Sequence, residues 1–154
     1  MLTRLKILLG SGLGSGLLPV APGTWGSIPP VFICWYISAE YSWFALIPFL
    51  LLFMLITLWV SPSLEDLWGV DPSKLVMDEW AGQSLVFLFV PLSGNLTDDW
   101  LILVAAFLLF RFFDILKPLG VSELQKLPSG WGILLDDMLA GAYALISLNI
   151  LIFY

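Results

Sequence analysis

Arg111, Asp114 and Lys117 stand three residues apart in "FRFFDILKP", inside a run of leucine and phenylalanine. Positions three apart share one face of a helix, so these charges form a single polar stripe on an apolar cylinder. An ionisable group beside hydrocarbon costs roughly 3 kcal/mol even on lenient scales, so it usually faces a site rather than lipid. Two further stretches supply carboxylates. "DPSKLVMDEWAGQ" carries Asp78 and Glu79, with Gln83 one turn beyond Glu79 on the same face. "GILLDDMLAG" places Asp136 and Asp137 where the last helix is expected to open, ahead of the small residues Ala140 and Gly141, which permit close approach. Paired carboxylates at helix starts converge well on a hard divalent cation such as Mg²⁺, which takes oxygen ligands. "PVAPGTWGS" is complementary: Gly23 and Gly26 free the backbone, Thr24 and Ser27 offer hydroxyls, and amides at a helix start attract anions.

Each stretch also has a purely structural reading. Acids in a first turn cap a helix and complement its dipole. Arg111 and Asp114 can close a helix end as an ion pair, Thr24 or Ser27 can be an N-cap, and Trp25, Trp80 and Trp131 suit an interfacial aromatic belt. These readings leave the gathering itself unexplained, because Asp71, Asp78, Glu79, Asp114, Asp136 and Asp137 all fall, with an arginine and lysines, beside one surface.

That surface follows from the elements that must carry the residues. Of the 154 residues, 60% are hydrophobic and 12% charged, with a mean hydropathy of +0.98; ordinary soluble domains have roughly 45–50% apolar and about 25% charged residues. The expected class is an all-α, polytopic membrane helical bundle, a single domain over residues 1–154 with about four to five short membrane helices. The apolar blocks, residues 28–39, 45–60, 81–92, 100–113 and 138–154, are mostly shorter than the roughly 20 residues of a simple spanning helix, so each borrows from its flanks or sits shallowly. If all five cross, every basic residue (Arg4, Lys6, Lys74, Arg111, Lys117, Lys126) lies on one side, which the positive-inside rule makes cytoplasmic, while Glu40, Asp98 and Asp99 lie opposite. The N-terminus is then inside and the C-terminus outside. A four-crossing layout with the third block re-entrant or interfacial is the alternative.

Composition also excludes chemistry. No histidine is present, which removes serine and cysteine triads and histidine-ligated metal sites. Cys34 is the only cysteine, so there is no intramolecular disulfide. The net charge of -6 and the lack of a basic patch argue against a nucleic-acid partner. The basic and apolar N-terminus is not read as a cleaved signal, because four glycines break the run and Pro22 follows Ala21. "LPSGW" has tryptophan at Trp131 where histidine-dependent lipid phosphatases carry their histidine. Oligomeric state is not readable.

The four stretches "PVAPGTWGS", "DPSKLVMDEWAGQ", "FRFFDILKP" and "GWGILLDDMLAG", in that order and spread over nearly the whole chain, resemble the phosphatidylglycerophosphatase A family. The resemblance implies Mg²⁺-dependent cleavage of phosphate from phosphatidylglycerophosphate, giving phosphatidylglycerol, at the cytoplasmic face of the bacterial inner membrane. By motif it implies that Asp78, Glu79, Asp114, Asp136 and Asp137 supply most ligands to one or two Mg²⁺ ions. Arg111 and Lys117 would then bind phosphate, with Gly23, Thr24, Trp25, Gly26 and Ser27 as the substrate-binding element. Thr24 leads the candidates there, to bind the phosphate or less readily to attack it. Ser129 stands where many relatives have a second glycine. Other readings remain open at this stage: a phosphatase for another lipid phosphate, or a small cation transporter or channel. The transporter predicts carboxylates distributed through the depth of the bilayer.

Overall fold

The computed structural model describes residues 1–153. Among them are seven α-helices and no strand: α1 (Leu2–Gly10), α2 (Pro22–Tyr41), α3 (Leu46–Trp68), α4 (Met77–Val86), α5 (Leu96–Leu116), α6 (Val121–Leu124) and α7 (Gly130–Phe153). The all-helical expectation holds. By length and composition, two segments could cross a membrane: Trp43–Trp68, which is α3 with the 3₁₀ turn before it, and α7.

Local chemistry sets the ends of the helices. Pro22 occupies the first turn of α2, where its missing N–H costs nothing, after Ala21 in the left-handed region. Asn95 caps α5 by accepting from the Thr97 amide at 3.0 Å. That helix stops at Lys117, which is left-handed (φ 46°) and precedes Pro118. Asp99 ties the turn before α5 together, accepting from the Ser93 and Gly94 amides and from Trp35 Nε1 at 2.9, 3.0 and 2.8 Å.

Consecutive long elements run in alternating directions. The start of α2, the end of α3, the starts of α4 and α7 and the end of α5 meet at one pole: Gly23 adjoins Glu79 and Arg111, and Gly130 adjoins Ser61. At the other pole Gly94 adjoins Ala39, and the rings of Trp43 and Phe89 lie 4.3 Å apart. The basic side chains follow this polarity. Lys6 donates to Ser63 and Lys74 lies over the Trp68 ring, both near the end of α3, and Arg111 and Lys117 sit at the end of α5.

The third apolar block departs from a full helix. Its helical part is the ten-residue α4, after which Phe89 (φ 66°), Pro91 and Gly94 (φ 81°) return the chain to α5 in irregular conformation. This short helix is nonetheless the axle of the bundle. Met77 through Ser84 are all buried, between an apolar cluster shared with α2, α5 and α7 and another shared with α3 and α7. Gly82 and Gly141 let α4 and α7 touch: a Cβ on Gly141 would fall 2.5 Å from the Gly82 carbonyl oxygen. The small residues after the Asp136–Asp137 pair thus serve the close approach expected of them. Trp80 does not join an interfacial belt. Its place on the central helix buries it edge-on against Phe53, with ring centroids 5.4 Å apart, whereas Trp25 and Trp131 are about half exposed.

Candidate active site

At the basic pole the helix ends enclose a cavity of about 260 Å³. The first turn of α4 supplies Asp78 and Glu79, the last two turns of α5 and its cap supply Arg111, Asp114 and Lys117, and α7 supplies Asp136 and Asp137. Ala21, Pro22 and Gly23 close one wall and Asp71, Pro72 and Ser73 another. All seven residues expected from the sequence to be catalytic therefore line one space.

Arg111 organises one side of it. Its Nη1 lies 2.6 Å from Asp114 Oδ2 and 3.3 Å from Glu79 Oε1. The expected Arg111–Asp114 pair is thus present, but it is one arm of a network that reaches a second helix. Glu79 is fixed from behind by Ser27, whose hydroxyl donates to Oε2 at 2.7 Å. Gly23 is required by proximity, because a Cβ there would meet Glu79 Oε1 and stand 3.1 Å from both Nη1 and Nη2 of Arg111.

Lys117 organises the other side, with Nζ 2.5 Å from Asp136 Oδ2. Burial pulls the pKa of Lys117 down. The hydrogen bond and charge of Asp136, with Asp137 and Asp114 behind, outweigh this and hold the ammonium above the ordinary lysine range.

The expectation that Asp136 and Asp137 open the last helix is corrected. The helix begins six residues earlier, at Gly130, because left-handed Ser129 turns the chain and Gly130 packs against Ser61. With both acids beyond the first turn, neither can act as a helix cap.

What the cavity lacks is as informative as what it holds. Asp78 Oδ1, Asp136 Oδ1 and Asp137 Oδ2 are buried without any hydrogen-bond partner, and Arg111 Nε is equally bare. Six carboxylates face two cations across the lining. Buried acceptors left unpaired each cost about 1–3 kcal/mol, more when charged, and a cation in this lining would satisfy them. Among the described residues, however, no three such groups are already gathered tightly enough to grip a metal as they stand. Asp114 and Asp136 are each drawn by one oxygen to Arg111 or Lys117, and Glu79 is shared between Ser27 and Arg111.

The "PVAPGTWGS" segment divides. Gly23 lines the cavity and Ser27 supports Glu79, whereas Thr24, Trp25 and Gly26 do not line it; Gly26 packs against Val76 instead. Asp71 lines the cavity but is not among the expected site residues. Its signal is its place in "DPSK", where left-handed Asp71 (φ 50°) precedes Pro72 and is hydrogen-bonded by Gln125. Nor are the carboxylates spread along the bundle as a transport pathway requires. They crowd this pole, and Asp99 at the far pole is spent on a turn.

Comparison with known proteins agrees with the geometry. A family model described as phosphatidylglycerophosphatase A matches residues 8–152. A Bacteroides thetaiotaomicron protein, provisionally named a phosphatidylinositol-3-phosphatase, is 39% identical over 92% of this chain and 90% of its own length. Proteins named phosphatidylglycerophosphatase A are 38% identical in Haemophilus influenzae, covering 90% of this chain and 83% of theirs, and 32% identical in Escherichia coli, covering 98% and 87%. No solved structure matches.

Proposed function

Because the chain belongs to the phosphatidylglycerophosphatase A family, we propose that it hydrolyses the phosphomonoester of phosphatidylglycerophosphate to phosphatidylglycerol and inorganic phosphate, as a step of phospholipid synthesis. The observation that carries this reading is the polar cavity itself, with six carboxylates around Arg111 and Lys117 at the pole of the bundle where the basic residues collect. A phosphate dianion would be repelled by such a lining unless a cation entered with it. We assign that cation as Mg²⁺, held by the bare oxygens of Asp78, Asp136 and Asp137 with Glu79 and Asp114 beside them. When bound, such an ion neutralises phosphate charge and acidifies a coordinated water.

The protein's own groups do the rest. Glu79 and Asp114 hold Arg111 while its Nε stays free, so the planar guanidinium can meet phosphate oxygens. Lys117 adds a second positive charge that lasts through the physiological pH range. Water attacks phosphorus while a cavity carboxylate takes its proton, and as the bond from phosphorus to the glycerol oxygen breaks that proton passes to the departing oxygen, giving the alcohol and inorganic phosphate.

The alternating elements support five passages of a bacterial inner membrane, by α2, α3, α4 with residues 87–95, α5 and α7, with the basic pole in the cytoplasm. The lipid headgroup then meets the cavity at the interface.

The test is phosphate release by the purified protein in detergent. Phosphatidylglycerophosphate, phosphatidylinositol 3-phosphate, phosphatidic acid and a soluble phosphomonoester would be offered with Mg²⁺ or EDTA, beside Asp137→Asn. Mg²⁺-dependent release that favours phosphatidylglycerophosphate, and is lost in the folded variant, is expected. Preference for the inositol lipid would move the substrate to that of the Bacteroides relative's name, and no release from any of the four would overturn the reading.

A further inference from the structure

Beside the polar cavity runs a second concavity of about 230 Å³, between α2 and α5. Ile28 and Phe32 form one wall, Val104 and Phe107 the other, and Val31 and Leu103 the floor, with no polar atom in the lining surface. The geometry points to an acyl-chain subsite: we propose that this groove holds one fatty-acyl chain of the lipid whose phosphate occupies the polar cavity.

The proposal rests on the lipid-phosphatase reading and adds where the apolar part of the substrate lies. Both walls lead into the charged cavity, since Phe107 precedes Arg111 by one turn and Ile28 follows Gly23 by five residues. At 1.5 Å per residue the groove begins about 6–8 Å from the charged lining and reaches Trp100 about 16 Å from Arg111. An ester-linked chain descending from a bound headgroup covers the same interval along the bundle axis. Two other seams at the cavity, α4 against α5 and α4 against α7, are tightly packed. A Cβ at Gly82 would fall 2.6 Å from the Phe110 ring on α5, and Gly141 presses on the Gly82 backbone from α7. Between α2 and α5 a concave apolar path continues away from the charges. Phe32 and Trp100 are about half exposed at its margin, so a chain enters from the side without leaving hydrocarbon.

Two measurements test this. In the first, phosphatidylglycerophosphate carrying a diazirine midway along one acyl chain is photolysed with the wild-type protein in phosphatidylcholine nanodiscs, and the labelled residues are mapped by mass spectrometry. Labelling concentrated on Phe32, Val104 and Phe107, and suppressed by excess unlabelled phosphatidylglycerophosphate but not by phosphatidylcholine, is expected. Labelling spread evenly around the bundle, or insensitive to that competitor, would sink the proposal. In the second, Val104→Trp fills the groove far from any charged group. KM for the dioleoyl substrate should rise about tenfold through lost chain burial while that for the dihexanoyl substrate stays within about twofold. Equal effects on both, or on neither, count against the groove. Photolabelling needs no turnover, so a labelled groove in a protein that releases no phosphate rejects the phosphatase reading alone. Turnover with an unlabelled groove rejects the groove alone.

Discussion

The ammonium of Lys117 lies 2.5 Å from Asp136 Oδ2, so the left-handed end of α5 is tied to the second turn of α7 across the candidate site. Without that cation the cavity keeps its six carboxylates and loses one of its two positive charges. Lys117→Gln should lower kcat by about 10²-fold, the usual cost of one charge stabiliser, and should lower thermal stability in detergent. Adding Asp136→Asn should restore much of the stability and none of the activity. If the double variant is as unstable as the two single effects summed, the pair is not coupled.

The bare oxygens of Asp78, Asp136 and Asp137 make the site a source of instability when no cation is bound. In EDTA, Asp137→Asn should therefore stabilise the protein by about 1–2 kcal/mol, since an amide that can donate hydrogen bonds replaces one member of a crowded group of carboxyls. Mg²⁺ should raise the melting temperature of the wild type and leave the variant nearly unmoved. Thermal unfolding in detergent with each addition reads both effects. A variant less stable than the wild type in EDTA would show the carboxylate already satisfied.

Gly23 separates local geometry from bulk stability. Gly23→Ala directs a methyl at Glu79 and Arg111, so the guanidinium must shift. If Arg111 binds phosphate as proposed, a displacement of this size should cost about 10²-fold in kcat/KM. The melting temperature should change little, because α2 tolerates alanine. Normal kinetics from the folded variant would remove Arg111 from the site's precise machinery.

The contact between α4 and α7 makes the opposite prediction. Gly141→Val overfills a backbone-to-backbone contact at Gly82 and should destabilise the protein by about 3 kcal/mol. Activity per folded molecule should fall as well, since the same displacement parts Asp78 from Asp137. Denaturation in mixed micelles measures the first effect and phosphate release the second. Unchanged stability would show that the two helices can slide.

Charge was the legible part of this chain. Acids and bases stranded among leucines have few places to go, and every residue singled out on that ground, from Asp78 to Asp137, reached the same cavity. The one-sided grouping of basic residues likewise anticipated which helix ends meet. Contacts set by packing were not legible. Hydropathy cannot tell a central helix from a lipid-facing one, so Trp80 was expected at an interface and lies inside. The early start of α7 depends on left-handed Ser129 and on Gly130 lying against Ser61, a partner distant in sequence. Asp71 looked like one loop acid among several, and it enters the site through the fold of its own loop and a hydrogen bond from Gln125.

The shortness of α4 bears on how such a chain is made. Ten helical residues span about 15 Å, half of a bilayer's hydrocarbon, and they carry two acids at one end. Alone, that helix is too short to span the hydrocarbon. Its burial depends on the neighbours that enclose it, α7 included, so the positions of Asp78 and Glu79 are set by contacts that α7 completes. A chain cut short before residue 130 would carry Asp78 and Glu79 without Asp136, Asp137 or the helix that packs against them, and so without the lining of the candidate site.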